Sequence, residues 1–551
     1  MLVAHVAITP LSGSPIRICQ ALNRYTDISA RLVVFKPDWF GGRTFAGDID
    51  YSTEGRPEEA RALFDRCDVI HFHHYIDLAT NPFGIDFTAY ERAGKRVVRQ
   101  FQSTAMWVSS YSGRTVDDVM LRLRPVFVIP HYPERSFPFG RIVPNFVPQD
   151  DPLYQPATEA ERDPHGVHIF FSPSWRNAGW SRRWDTKGSE ETIRLLHGLS
   201  ARHPEVVPRV VVDTPHEECL RQRRLGHISI DELFTGSFHL VSLESLAQGL
   251  PTLCFLDERT RRQVRELAGT EALPWINCHV SEAAARLTRL IADPDQRAEH
   301  GRLSRRWIKQ YWTDRRMVEH YRQAYLDLFN DPASFDRPRF PPLSARTAWA
   351  VRGRSDAEWF GLRRQAAVTG EPVVGPDIRP TSLADLSPLE QALRAVVLEM
   401  GVPEGAVLHL RCGTGRLLAA LEQDGCQIDA RDFAFDLRME DLRLAPDRLS
   451  IGDPVALTAD HPVSTIILQD LCERLSTDEL ATLAASIRPL HATVVVAIDT
   501  TRFRDLVPTR DAAAWVAMWE TLGYTCRATR PLGEQFVLRL EASPAPTASQ
   551  G

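Results

Sequence analysis

The 551-residue chain is 43% apolar and 25% charged, with a formal charge of −6, which is the composition of a soluble globular protein several lobes long. So small a net charge, with no long basic block, indicates neither nucleic acid nor an acidic membrane surface as partner. No apolar run approaches the roughly 20 residues that cross a bilayer.

The opening "MLVAHVAITPL" reads as a strand and a turn rather than a leader peptide. The nine cysteines are scattered, without a C-x-x-C pair, and are expected to be reduced, mostly buried thiols of a cytoplasmic protein. Positive charge is almost entirely arginine, the only lysines being Lys36, Lys95, Lys187 and Lys309.

Residues 1–148 alternate short apolar strands ("LVAHVAIT", "ARLVVFK", "DVIHFHH", "KRVVRQF", "PVFVIP") with helix-length segments, the pattern of βαβ units and a parallel sheet. The proline-rich "IVPNFVPQDDPLYQP" reads as a hinge. A second alternating set occupies residues 149–330: "VHIFFSPS", "PRVVVDTP", "HISIDEL" and "PTLCFL". It ends in 304–329, whose aromatic and aliphatic spacing predicts one amphipathic helix. Residues 331–386, rich in Pro, Gly, Arg and Ser, read as a linker. At 387, Ser387, Pro388 and Glu390 occupy N-cap, first-turn and capping-box positions, opening a third α/β set that runs to 542. The remainder, 543–551, reads as a disordered tail.

Two successive parallel-sheet lobes joined by a hinge make a cleft at the C-terminal ends of their strands, where open α/β sheets bind ligands. After the first strand of the second lobe, Lys187-Gly188-Ser189 opens a helix, with Arg176 in the loop before it. Helix amides with a lysine and an arginine suit a diphosphate. Glu244 lies on the helix face that should pack inside, four residues after Leu240 and three before Ala247. Val241, three residues earlier, cannot cap it. A carboxylate there needs hydrogen-bonding partners, and the two hydroxyls of a ribose would serve. "HFHH" at 71–74 reads as a strand-end histidine cluster, because the sequence shows no third metal ligand beside it. No metal site is expected.

"KGS" at 187, with "IDELFTGSFHLVSLESLAQGLPTL", "LSGSPIRICQALN", "DVIHFHH" and "IVPNFVP", resembles the retaining GT-B glycosyltransferases over residues 1–330. This resemblance implies sugar transfer from a nucleotide-diphosphate sugar to a glycan or glycoconjugate acceptor, with retained anomeric configuration and no metal. It implies that Lys187 and Arg176 contact the donor diphosphate and Glu244 the ribose. Gly13 and Ser14 would line the loop beside the distal phosphate and sugar, with His73 near the transferred sugar. The chain departs from the family at Gly236, where a second glutamate is usual, and at Phe101-Gln102, where Gln102 replaces a donor-sugar histidine.

"AVLHLRCGTGRLLAALEQDGCQIDARDFAFD" resembles the class I methyltransferases that bind S-adenosylmethionine, over about 387–542. Gly413, Gly415, Asp432 and Asp453 are the cofactor-binding residues this implies. His409 and Arg411 stand where that family has an acid and a glycine, and a cation beside a sulfonium is unfavourable. The expected fold is therefore α/β, with two Rossmann-like lobes of a GT-B glycosyltransferase followed by a third Rossmann-like methyltransferase domain. Their adjacency suggests that a sugar is added and then O-methylated. Two rivals stay open: a methyltransferase whose leading lobes only bind a glycan or nucleotide, and a non-enzymatic scaffold with both sites decayed.

Overall fold

A computed structural model describes residues 1–36, 45, 47–52, 55–103, 105, 108, 112–114, 116–130, 137–173, 187–212, 214–233, 236–339, 381–412, 415–432, 444, 449–451, 455, 461–469, 471–499 and 510–544. The chain divides into two compact units, the first holding the described residues up to 339 and the second those from 381 onward.

The first unit contains two parallel sheets. The first comprises β1 (Leu2–Ala7), β2 (Ser29–Val34), β3 (Ile49–Asp50), β4 (Val69–His73), β5 (Arg96–Phe101), β6 (Val126–Val128) and β7 (Arg141–Ile142), in the order β3-β2-β1-β4-β5-β6-β7. All its pairings are parallel. The second comprises β8 (Val167–Phe171), β9 (Val206–Val210), β10 (Ile228–Ile230), β11 (Thr252–Cys254) and β12 (Ile276–Asn277), in the order β12-β11-β10-β8-β9. Both sheets run outward in opposite directions from a central strand pair, β1/β4 in one and β8/β10 in the other. Strands such as β4 and β8 are buried along their whole length, as expected of strands covered on both faces.

Six helices position the site: α1 (Ser14–Tyr25), α2 (Ser189–Arg202), α3 (His216–Arg224), α4 (Leu240–Ala247) and the pair α5 (Pro294–Tyr311) and α6 (Asp314–Asn330). The single helix expected over 304–329 is corrected to this pair. Trp312 leaves helical geometry and Thr313 caps α6 by accepting from the Arg316 amide. The break is anchored, because the fully buried Trp312 donates its indole N–H to the Asn145 carbonyl in the hinge at 2.8 Å. Beyond the break α6 lies against the first sheet. Its Tyr321 hydroxyl accepts from Gln100 at 3.0 Å, and Arg322 bonds Asp27 at 2.7 Å. Order continues past 330, with Phe335 buried against Phe127.

The second unit has one sheet of β13 (Ala406–Leu410), β14 (Ile428–Asp432), β15 (Leu449–Ile451), β16 (Val463–Gln469), β17 (Thr493–Asp499), β18 (Tyr524–Leu532) and β19 (Gln535–Ala542). Its order is β15-β14-β13-β16-β17-β19-β18, and β19 is antiparallel to both of its neighbours. Helix α7 (Pro388–Glu399) opens the unit with the expected Ser387–Glu390 capping box, and α8 (Arg416–Gln423) follows β13. The protein is thus α/β throughout, with three Rossmann-like sheets. All nine cysteines are free, and all but Cys219 and Cys526 are buried. No helix among the described residues is long and apolar enough to cross a membrane.

Candidate functional site

The second-lobe half of the site forms where β8 and β10 diverge. Lys187 and Gly188 both adopt left-handed backbone angles, φ 62° and 58°, immediately before α2 opens at Ser189. Lys187 is 4% exposed. Its ammonium lies 3.1 Å from Asp231 Oδ1 and donates to the Ser172 carbonyl at 3.2 Å. Asp231, directly after β10, is fully buried and also accepts from the His239 amide at 2.6 Å and the Ser242 hydroxyl at 2.7 Å. Burial alone would raise this carboxyl, but Lys187 and His239 outweigh it and hold Asp231 well below the usual carboxylate range.

Glu244 sits two residues beyond Ser242 on α4 and is 3% exposed. Its Oε2 accepts from Arg223 at 2.6 Å and its Oε1 pairs with His216 Nε2 at 2.7 Å. His216 and Arg223 are seven residues apart on α3, two turns along one face. Burial pushes the Glu244 carboxyl up, while Arg223 and His216 pull it well below its ordinary value. Arg223 and His216 thus already hold the two Glu244 oxygens, and each oxygen has a second lone pair for a hydroxyl donor. Burial raises the nearby Cys219 thiol above its normal value. Arg176 lies outside the described residues.

The first-lobe half is built at the end of β1. Gly13 has φ 77°, and a Cβ there would fall 2.5 Å from the Phe45 ring. Glycine is needed on both counts. Ser14 opens α1. Its hydroxyl donates to Asn145 Oδ1 and accepts from Gln102 Nε2, each at 3.0 Å, so Gly13, Ser14 and Gln102 meet at the hinge asparagine.

Arg17, one turn along α1, joins the two halves. It is 6% exposed, donates from Nη2 to the Tyr154 hydroxyl, and leaves Nη1 buried without a hydrogen-bond partner. Its charge also lowers Glu244. The Phe45 ring stands 5.1 Å from the Arg17 guanidinium and 5.0 Å from the His216 ring.

Sequence reasoning missed Asp231, His216, Arg223 and Arg17. Asp231 carried a signal, being an acid at the end of a strand beside the switch point. The other three are visible only through long-range contacts. The departure at Gly236 now has a cause: its φ is 77° and a Cβ would fall 2.8 Å from Asp257, so the buried Asp257 fills the space a longer side chain would need.

His73 lies in a different cluster. It is buried with His5 and His71, and its Nε2 is 2.9 Å from His5 Nδ1. Burial pushes His5 down to about 3 and holds His71 and His73 well below their ordinary value. A third ligand-type side chain therefore stands beside His71 and His73. It comes from β1, where His5 is in register with His71.

In the second unit, β13 leads through a turn into α8. Gly415 has φ 79°, and a Cβ there would meet Leu444 at 2.7 Å. Arg411 holds φ 60°, a conformation costing a non-glycine residue roughly 1 kcal/mol. Gly413 and Asp453 lie outside the described residues, as does the side chain of Asp432. The buried His409 stands at the end of β13 and Arg411 in the residue after it.

No family model matches the chain, and no curated protein does. Among solved structures, a sucrose-phosphate synthase from Thermosynechococcus elongatus is 14% identical, covering 60% of this chain and 99% of its own, with TM-score 0.38. The glycopeptide N-methyltransferase MtfA complexed with sinefungin is 16% identical over 31% of this chain and 100% of its own, with TM-score 0.24. A magnesium protoporphyrin IX methyltransferase from Synechocystis PCC 6803 with bound SAM is 15% identical over 35% of this chain and 97% of its own, with TM-score 0.23.

Proposed function

We propose that the first unit transfers a sugar from a nucleotide-diphosphate sugar to a glycan or glycoconjugate acceptor, with retention and without a metal. One observation carries this reading: Arg17 of the first lobe bonds the Tyr154 hydroxyl of the hinge, and the Phe45 ring beside it meets the His216 ring that holds Glu244 of the second lobe. Donor-facing residues proposed for each lobe thereby fall into a single polar cluster at strand ends.

The diphosphate is placed at the N-terminus of α2 beside Lys187, with Arg176 as a further cation. Aligned amides and fixed charges there stabilise the negative charge that builds on the leaving group. Glu244 adds ribose hydroxyls to its existing partners. Gly13, Ser14 and Gln102 line the sugar side, while His73 is buried with His5 and His71. The buried, unpartnered Nη1 of Arg17 gives the site another donor for an anionic oxygen. We assign no methyl-transfer step to the second unit, because Arg411 puts a cation in the turn after β13, where it would oppose a sulfonium.

The test is a screen of nucleotide sugars for slow hydrolysis, with thermal stabilisation by UDP, GDP and ADP measured in parallel. Lys187→Ala and Glu244→Ala should abolish turnover in protein that still folds. If no nucleotide diphosphate raises the melting temperature, the donor site is lost from the account.

A further inference from the structure

The heart of the first sheet contains a group of side chains that packing does not require. His5 on β1 and His71 on β4 are in register, and His73 is two residues along on the same face. They are 0%, 0% and 1% exposed, among strands otherwise made of Val, Ala, Ile and Phe. Apolar residues of similar size would suit such a core better, since every buried ring nitrogen needs a partner.

Their ring centroids are 4.6, 4.6 and 5.2 Å apart. One nitrogen from each ring can be chosen so that all three lie within 4.8 Å of one another. The Tyr325 hydroxyl of α6 joins them, 2.6 Å from His71 Nδ1 and 3.1 Å from His5 Nε2. His73 Nδ1 has no hydrogen-bond partner.

We propose that His5, His71 and His73 form a buried site for a divalent transition metal of the zinc or cobalt class, with the Tyr325 hydroxyl orienting the rings through His5 Nε2 and His71 Nδ1, the nitrogens turned away from the ion. A four-coordinate centre with bonds of about 2.0–2.1 Å separates its nitrogens by about 3.3 Å. The observed separations, from 2.9 Å to at most 4.8 Å, bracket that value. The His71 and His73 rings are stacked at 18°, so loading turns His73 about its side-chain bonds, and the ion replaces the His5–His73 hydrogen bond. Imidazole nitrogens, with no carboxylate in the cluster among the described residues, select a borderline metal over magnesium or calcium. The site is closed beneath α6, so metal enters as the chain folds. Its role is to tie α6 to β1 and β4, apart from the sugar-transfer site.

The experiment uses the full-length protein with any affinity tag removed, produced in defined medium supplemented with zinc or with cobalt and dialysed against chelator. Elemental analysis should find close to one equivalent of metal, and the cobalt form should show the visible absorption of a four-coordinate ion. His5→Gln and His73→Gln should lose both signals. Tyr325→Phe, which keeps the ring in place, should release metal to chelator at about tenfold lower chelator concentration. Wild-type protein that folds without stoichiometric metal overturns the proposal and leaves the cluster as a hydrogen-bonded fastening. Unchanged metal content in folded His5→Gln overturns it too, and if that variant fails to fold, the wild-type metal content and the Tyr325→Phe release decide.

Discussion

Glu244→Gln probes the buried charge cluster most directly. The substitution keeps the shape of a side chain only 3% exposed and removes its charge, leaving the fully buried Arg223 without a counter-ion. Breaking a buried pair from one side costs about 3–5 kcal/mol. Two contacts soften the loss: the amide oxygen still accepts from Arg223, and Arg223 also donates from Nε to Gln248 at 3.0 Å. A cost of about 2–3 kcal/mol is expected, which in a unit of this size lowers the melting temperature by about 3–4 °C.

The pH dependence supplies the sign. A carboxyl held below its ordinary value of 4.5 contributes stability that is complete above that pH and is lost as pH falls through the native value. The gap between wild type and Glu244→Gln should therefore be full at about pH 7 and shrink below about pH 4.5. Thermal melts of both proteins across this range, followed by circular dichroism, provide the measurement. Equal melting temperatures at neutral pH, or a gap that widens on acidification, would refute the reasoning.

Other substitutions test neighbouring inferences. Gly236→Ala places a Cβ 2.8 Å from Asp257 at φ 77° and should cost about 1–3 kcal/mol in urea unfolding; a neutral result would mean that Asp257 yields easily. Asp314, pushed up to about 6 by burial with Arg17 pulling the other way, binds a proton more readily native than unfolded. Its ionisation therefore costs stability as pH rises from about 4 to about 6, and Asp314→Asn should stabilise at pH 7 by about 1 kcal/mol but not at pH 4. In the second unit, calorimetry should find no tight binding of S-adenosylmethionine, and Arg411→Gly should improve it about tenfold or more. Micromolar binding by the native protein would refute the misfit.

The sheets were legible because strands buried on both faces leave continuous apolar runs, and the cap of α7 because Ser387, Pro388 and Glu390 act within one turn. Helical periodicity ran through 304–329 and hid the break, although Thr313 is a good N-cap and marks it. The site was half legible. Lys187, Gly13 and Glu244 are conspicuous against their immediate neighbours, whereas their partners are remote. Arg17 and Tyr154 are 137 positions apart, and His5 and His73 are 68 apart. Such pairs meet only because strand order places β1 beside β4 and folds the hinge onto α1, which local spacing does not encode.

The rarity of lysine in this chain finds a physical reason at 187. Its ammonium fits between two oxygens, Asp231 Oδ1 at 3.1 Å and the Ser172 carbonyl at 3.2 Å, in a space where the residue is 4% exposed. A compact charge that donates in any direction suits that space, whereas a longer planar fork must align its donors in one plane. Arginine at this position would drive its head past Asp231 into Ser172 or out of the turn, at a site already held left-handed at φ 62°. Lys187→Arg is therefore not conservative here. It should lower stability by about 1–3 kcal/mol through overpacking and remove stabilisation by nucleotide diphosphates, although the charge is kept. If the variant melts with wild type and still responds to the diphosphate, the position requires only a positive charge, and the geometry assigned to the turn after β8 is wrong.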